Sequence, residues 1–153
     1  RPLNERIEMT TTNNDFLTDA PLAGTLVGTD YEGWTDELRA EFDAHAHDGR
    51  VGSRLLSENG RVRVWEIRLA PGARWHAHRH VLDYFWTAVT PGRSRQHTAD
   101  GTTREVAYDA GETRHFRFAA GEYLLHDIEN IGDQELVFPT VEPLDSANAP
   151  LPL

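Results

Sequence analysis

The sequence contains no cysteine and no lysine, so its 15 basic residues are all arginine. Without cysteine the chain cannot form a disulfide, a thiolate metal site or a cysteine nucleophile. Without lysine it cannot form a Schiff base with a carbonyl substrate. Any metal ion must therefore be bound by nitrogen and oxygen atoms.

Long apolar runs are also absent. No stretch approaches the roughly 20 apolar residues that a membrane-spanning helix needs, and no apolar stretch follows a basic start. The 25 acidic residues outnumber the 15 basic ones, and the formal net charge is -10. Such a surface repels phosphate backbones. We therefore expect a cytoplasmic protein whose partner is a small-molecule substrate, with no nucleic-acid and no membrane partner.

The length of 153 residues allows one domain with a real core and is too short for two. Residues 1–20 are expected to be a disordered N-terminus or an upstream extension. We expect an N-terminal segment with a helix at 21–50, a strand-rich domain at 51–145 and a C-terminal tail at 146–153. Because the tail is rich in proline, it is expected to lie on the surface or against a second subunit.

One helix precedes the strands. Thr35 can cap its N-terminus, and the acidic residues that follow suit the positive end of the helix dipole. Trp34, Leu38 and Phe42 recur every four residues and form one apolar stripe. The helix is expected to end near His45 to Gly49.

From Val51 onward, short β-rich runs alternate with turn signals such as Asn59-Gly60 and Asp100-Gly101. The expected strands are 51–57, 61–70, 74–80, 83–90, 93–98, 102–108, 113–118, 122–130 and 134–142. Strands at this spacing predict a sandwich or a barrel. Pro139 in the last run predicts an edge strand or a bulge, because proline cannot donate a ladder hydrogen bond.

Histidines dominate the candidate chemistry. His76, His78 and His80 alternate along one predicted strand, so their imidazoles are expected to share one face. A fourth histidine, His126, lies on a later strand. Neutral imidazole is a common ligand of divalent metals, which favours a metal site over an exposed, solvated row of histidines.

These histidines fall within a longer pattern. Pro71-Gly72 is followed by five residues, then His78-x-His80 and later Gly92, and His126-x-x-x-Asn130 stands further on. The pattern resembles the two motifs of the cupin family, in the subgroup of small bacterial cupins that read His-Arg-His-x-x-Asp-Tyr. The resemblance implies an all-β double-stranded β-helix (jelly-roll) barrel with one short N-terminal helix. It also implies that His78, His80 and His126 bind a divalent Fe, Mn, Ni or Zn ion.

The sequence departs from the family pattern at one ligand. Cupins usually carry a glutamate four or five residues after the second histidine, where this chain has Tyr84 and Phe85. An alternative register takes His76 and His78 as the pair, with Asp83 in place of the glutamate. That register breaks the spacing to the flanking glycines, and we keep it as the alternative set of ligands.

Three histidines without the glutamate are known in cupin oxygenases, so the resemblance implies an oxygenase-type site for a small, oxygen-bearing and anionic molecule. Tyr84 and His76 are candidates for acid–base catalysis. Alternatives are a non-catalytic cupin that binds metal or a small molecule, a cupin isomerase or lyase, and a metal-free epimerase-like barrel.

Two further expectations concern arginine and assembly. An inward-facing arginine can bind a substrate carboxylate in bidentate fashion. The candidates are Arg63, Arg74, Arg114 and Arg117. The edge strands of a small open barrel and the tail from Ser146 onward predict a homodimer.

Overall fold

The computed structural model describes residues 22–153, and within them the chain forms ten strands and one helix. The predicted N-terminal segment 1–20 lies outside the described residues. The elements are β1 Thr25–Gly28, α1 Asp36–Ala44, β2 Arg54–Glu58, β3 Val62–Leu69, β4 Arg74–His80, β5 Tyr84–Thr87, β6 Gly92–His97, β7 Thr103–Tyr108, β8 Thr113–Phe116, β9 Leu124–Asn130 and β10 Leu136–Pro143.

The strands form two antiparallel five-stranded sheets. The first has the order β1-β7-β6-β9-β4 and the second the order β2-β3-β10-β5-β8. Apart from the consecutive pairs β6–β7 and β2–β3, neighbouring strands in both sheets come from distant parts of the sequence, which is the topology of a jelly roll. The predicted all-β double-stranded β-helix with one short helix is therefore confirmed.

The inner faces of the two sheets enclose an apolar interior. Alternation along β3 and β10 turns Ile67, Leu69, Leu136 and Phe138 inward, and β7 contributes Val106 and other residues from the opposite sheet. Buried aromatic rings fill the middle of this interior. Because every second side chain of a strand points to the same face, the inward residues of both sheets border a common cavity.

Helix α1 covers the outer face of the first sheet. The Leu38 amide donates to Thr35 Oγ1 at 3.0 Å, so Thr35 is the N-cap that the sequence predicts. Phe42 is buried against Ala77 and Leu125, whose side chains point outward from β4 and β9. The apolar stripe of the helix thus closes a second, smaller core.

Two features of the strands differ from the prediction. The short strand β1 was not expected, because its four residues lie apart from the regular series of runs; it pairs with the edge of β7. Pro139 lies in an interior strand, not at an edge or a bulge, since β10 pairs with β3 in continuous register. The proline is tolerated because the β10–β5 ladder includes only Thr140 and Val141.

The C-terminal tail lies against its own barrel. The hydroxyl of Ser146 accepts from the Asp83 amide at 3.0 Å, and the Asn148 side chain donates to the carbonyls of Val81 and Ala119 at 3.1 Å each. These bonds fasten the tail to the loops that follow β4 and β8. The tail is therefore a lid on one end of the chain's own domain.

Candidate metal centre

Two adjacent strands bring three histidines together. β4 and β9 pair antiparallel with His78 directly opposite His126, and His80 follows His78 on the same face. The ring centroids lie 4.8 Å apart for His78 and His126, 5.0 Å for His78 and His80, and 5.1 Å for His80 and His126. One nitrogen of each ring lies within 4.8 Å of the others. The structure thus brings together the three imidazoles that the cupin resemblance indicates.

His76 does not join them, and the expectation that three alternating imidazoles share one face is wrong. The register of β4 against β9 shifts between Trp75 and His78, which marks a β-bulge. The extra residue turns His76 outward, where its ring stacks on Trp75 and on His45. The geometry therefore gives no support to an acid–base role for His76 at the three-histidine cluster.

The outward ring of His76 belongs to a second set of potential ligands with His45 and Asp48. His45 Nδ1 lies 2.7 Å from Asp48 Oδ2, whereas His76 Nδ1 donates to the Ala77 carbonyl at 2.9 Å. The two imidazoles stack at an angle of 26°. In this set the Nδ1 atoms of both histidines are already engaged in hydrogen bonds, to Asp48 and to the Ala77 carbonyl.

The alternative register built on Asp83 is not assembled. Asp83 Oδ1 accepts from the Phe118 amide at 2.9 Å, which ties the carboxylate to the loop after β8. Within residues 22–153, neither Asp83 nor His76 is among the side chains that line the cavity beside His78. The cluster therefore follows the spacing of His78, His80 and His126.

Of the two residues at the expected glutamate positions, Tyr84 lies on the inner face of β5 and lines the cavity. Its ring stacks on His80 at 4.0 Å and on Phe116 at 4.5 Å between centroids. Burial raises the pKa of the Tyr84 phenol well above its usual value, so the phenol is neutral. The next residue, Phe85, lies on the other face of the strand against His115.

Burial also sets the charge of the histidines. It lowers the pKa of His78 to about 4, and it lowers the pKa values of His80 and His126 well below their usual value. All three rings are therefore neutral at pH 7, and each offers a lone pair. A row of neutral imidazoles is the form that binds a divalent metal.

Hydrogen bonds fix the tautomers of two of these rings. His78 Nδ1 lies 2.8 Å from the His76 carbonyl, which can only accept, so the proton is on Nδ1 and the lone pair is on Nε2. His126 Nδ1 donates in the same way to Gln96 Oε1 at 3.0 Å. The Gln96 amide is itself oriented, because its Nε2 donates to Tyr108 Oη at 3.1 Å. Such outer partners orient metal-ligating histidines.

The third ring provides a test of whether a metal fits. Among the described residues, His80 Nδ1 is buried and has no hydrogen-bond partner. Burying a polar atom without a partner costs free energy. A metal cation can be that partner, because a neutral imidazole nitrogen donates its lone pair to it. The donor set of three neutral imidazoles therefore fits a divalent ion of the Fe, Mn, Ni or Zn class.

The cluster opens onto a cavity between the two sheets. Its walls are mostly apolar and aromatic, with contributions from Ile67, Trp86, Val106, Phe116 and Phe138. The polar residues on its surface are Gln96, Thr98, Arg104, Tyr108 and Thr140, besides the three histidines and Tyr84. Over the part of the chain that the structure describes, no carboxylate lines this cavity.

The arginine that reaches the cavity is not one that the sequence indicated. Arg74 points outward to Glu41 and Asp127, and Arg63 is held by Glu58 at 2.9 Å. Arg114 and Arg117 are not among the lining residues. Arg104 is, because it shares the inward face of β7 with the lining residues Val106 and Tyr108. The alternation in the predicted run 102–108 was the signal that pointed to it.

A buried carboxylate lies beyond the cavity on β10. Glu142 is fully buried, and Trp65 Nε1 donates to its Oε1 at 2.8 Å. Burial raises the pKa of Glu142 to about 7. No sequence pattern predicts this burial, because Glu142 follows Pro139 in a run that is expected to be an edge strand or to carry a bulge.

Comparison with known proteins identifies similar chains of known structure. The chain is 30% identical to a cupin-domain protein from Bordetella pertussis Tohama I, whose crystal structure superposes with a TM-score of 0.52; the match covers 58% of this chain and 88% of that one. An RmlC-like cupin from Methanocaldococcus jannaschii is 19% identical, with a TM-score of 0.48 over 59% of this chain and 76% of that one. No family model matches the chain.

One curated relative has a named activity. The chain is 35% identical over 74 residues to the oxalate decarboxylase OxdC of Bacillus subtilis strain 168. This match covers 47% of the chain and 18% of the enzyme, so the chain spans less than a fifth of that protein's length.

Among residues 22–153, no helix is both long and apolar enough to cross a membrane.

Replacing Tyr84 by glutamate should add a fourth ligand to the cluster, whereas replacing Phe85 should not, because adjacent strand residues face opposite sides. Competition with a chelator for Co²⁺ should show that Tyr84→Glu binds the metal at least about tenfold more tightly, or ~1.4 kcal/mol. Phe85→Glu is the matched control and should bind as the wild type does. Tighter binding by Phe85→Glu alone would contradict this placement.

The metal-free protein should lose stability as the pH falls from 6.5 toward about 4. The unfolded chain protonates His78 near 6.5, whereas the folded chain does so only near 4, so acid favours unfolding across that window. One such histidine contributes at most ~1.4 kcal/mol per pH unit. Urea unfolding at several pH values should show a shallower dependence in His78→Gln than in the wild type.

His115→Gln, on the outer face, is the control for this measurement and should keep the wild-type dependence. An identical dependence in His78→Gln and the wild type would mean that His78 is not held neutral by the fold.

Proposed function

This chain belongs to the cupin superfamily, and we propose that it is a metal-dependent cupin that acts on a small, anionic, oxygen-bearing molecule. His78, His80 and His126 would hold the divalent ion. One observation carries the proposal: three neutral imidazoles converge beside a cavity on which, within residues 22–153, no carboxylate lies.

The neutrality of the ligands has a consequence for the substrate. Three imidazoles leave a divalent ion with its full charge, whereas a glutamate ligand would cancel part of it. A doubly charged centre with apolar walls attracts anions, because the low local dielectric strengthens the attraction. Three protein ligands also leave coordination positions open for substrate or a second reactant. When bound, the ion would supply Lewis-acid and dioxygen-binding chemistry.

The surrounding residues have supporting roles. Gln96 keeps the proton of His126 on Nδ1 and so directs Nε2 at the cluster. Tyr84 is neutral and stacked, so it can donate a hydrogen bond or a proton but is a poor base at pH 7. The aromatic walls exclude water from the reacting molecule.

We infer an oxygenase-type reaction from the absence of the glutamate, since this departure resembles cupin oxygenases. A lyase is the second candidate. The local identity to an oxalate decarboxylase favours it, although that similarity extends over 74 residues only. An isomerase and a non-catalytic binding role are the remaining alternatives. We also propose a cytoplasmic location.

The double variant His78→Ala/His80→Ala should lose its metal while the barrel stays folded. Metal analysis of purified protein should give about one equivalent in the wild type and close to none in the variant, with near-identical circular dichroism. The matched control is His115→Ala, an outer-face histidine that should retain the metal. Full occupancy in the double variant would overturn the ligand assignment.

The reaction class is tested on the same two proteins. The Fe-loaded wild type should consume dioxygen with a small carboxylate or diketone, and the double variant should not. Release of carbon dioxide from oxalate without uptake of dioxygen would show that the protein is a lyase and not an oxygenase. Ligand binding without turnover of either kind would favour the non-catalytic alternative.

We also propose that the protein is a homodimer. The edge strands expose apolar side chains, namely Leu26 and Val27 on β1 and Leu56 on β2. The tail, which was expected on the surface or against a second subunit, contacts its own barrel, so pairing through an edge strand is the better supported route. Light scattering should give a dimer mass, and Leu26→Arg/Val27→Arg should shift it toward a monomer. A monomeric wild type would contradict the proposal.

A further inference from the structure

Arg104 is the one ionised side chain that lines the cavity within the described residues, since the histidines and tyrosines on its surface are neutral. It lies on β7, whose inward residues alternate with outward ones. Glu105, the next residue, points outward and binds Arg93 and Arg95 at 3.3 Å and 3.0 Å. The inward position of Arg104 separates it from the Glu105 carboxylate.

Arg104 has no ion-pair partner among residues 22–153. Its one polar contact with the described residues is a long one, from Nη1 to Thr102 Oγ1 at 3.4 Å. Asp100, the carboxylate that acts on it at longer range, is engaged by the amide and hydroxyl of Thr102 at 3.0 Å and 2.7 Å. A half-buried guanidinium without a carboxylate is costly, and a ligand can supply the missing anion.

Arg104 lies close to the histidine cluster. It is directly opposite Gln96 in the β6–β7 ladder, and Gln96 contacts His126. Side chains of directly opposed residues share a face and lie about 5 Å apart at Cβ. β7 and β9 flank β6, so their backbones are about 10 Å apart. A short molecule can therefore reach from the guanidinium to the three histidines.

The free space limits the size of that molecule. The cavity volume is about 50 Å³. A single water needs roughly 10–15 Å³ measured in this way, so the space holds only a few non-hydrogen atoms. Long chains and aromatic acids do not fit without movement of the walls.

We propose that Arg104 binds the carboxylate of a short two-headed acid whose second oxygen group lies at the histidine cluster. This class comprises small hydroxy, keto and dicarboxylic acids. A single guanidinium among apolar walls matches a planar carboxylate bidentately, whereas a phosphate has more charge and more acceptors than this cavity satisfies. Binding of the second oxygen group rests on the metal of the proposed function, whereas binding of the carboxylate by Arg104 does not.

Calorimetry on the metal-loaded protein tests the proposal with four probes: glycolate, acetate, glycolamide and inorganic phosphate. Glycolate should bind more tightly than acetate, which lacks the second oxygen group. Arg104→Gln should weaken glycolate binding at least about tenfold and leave glycolamide, which has no carboxylate, unchanged. Arg93→Gln, from the outer face of the neighbouring strand, should behave as the wild type.

Arg104→Lys keeps the positive charge but loses the bidentate geometry of the guanidinium, so its glycolate affinity should lie between those of the wild type and Arg104→Gln. This variant also replaces Arg104→Gln in the test if Arg104→Gln does not fold. Equal glycolate affinity in wild type and Arg104→Gln would overturn the proposal, as would absence of carboxylate binding in the wild type. Arg104-dependent binding of phosphate more tightly than glycolate would overturn the carboxylate assignment.

The metal-free protein distinguishes this proposal from the proposed function. Acetate binding that depends on Arg104 should persist there, because the guanidinium needs no metal. If the wild type bound no metal but retained this dependence, the metal-dependent function would fail and the carboxylate site would stand. If metal content were normal and acetate binding did not depend on Arg104, the carboxylate site would fail and the metal-dependent function would stand.

Discussion

The antiparallel register of β4 against β9 is the constraint on which the rest of the site depends. It sets His78 opposite His126, and the bulge before His78 determines which residues of β4 face inward. A one-residue slip would turn His78 and His80 to the outer face and bring Arg79 inward. Helix α1 fixes this register from outside, because Glu41 accepts from Arg74 and from the Ala77 amide at the bulge.

Burial then determines the chemistry that the cluster can perform. Enclosure between the two sheets keeps the imidazoles neutral and keeps Tyr84 protonated. With no carboxylate on the cavity surface in the described residues, positive charge comes from Arg104 and, in the proposed function, from a metal ion. Both charges favour an anion, and the apolar walls between them strengthen that preference.

The sequence predicted the barrel from alternation and turn residues, whereas the set of His78, His80 and His126 came from its resemblance to the cupin motifs. It failed where long-range pairing decides the outcome. The outward turn of His76 comes from a bulge that no local residue signals, and the interior position of Pro139 comes from a short ladder with β5. The alternation rule could have identified Arg104 as inward-facing, but only the placement of the strands shows that no carboxylate among residues 22–153 forms an ion pair with it.

Anomalous diffraction from crystals of the metal-loaded protein, recorded at the absorption edge of the bound ion, would locate the metal. The three-histidine assignment predicts one strong peak within bonding distance of His78, His80 and His126, with only solvent or a small ligand in the remaining positions. A peak at His45, Asp48 and His76 in its place, or a protein carboxylate such as Asp83 in the coordination shell, would contradict it.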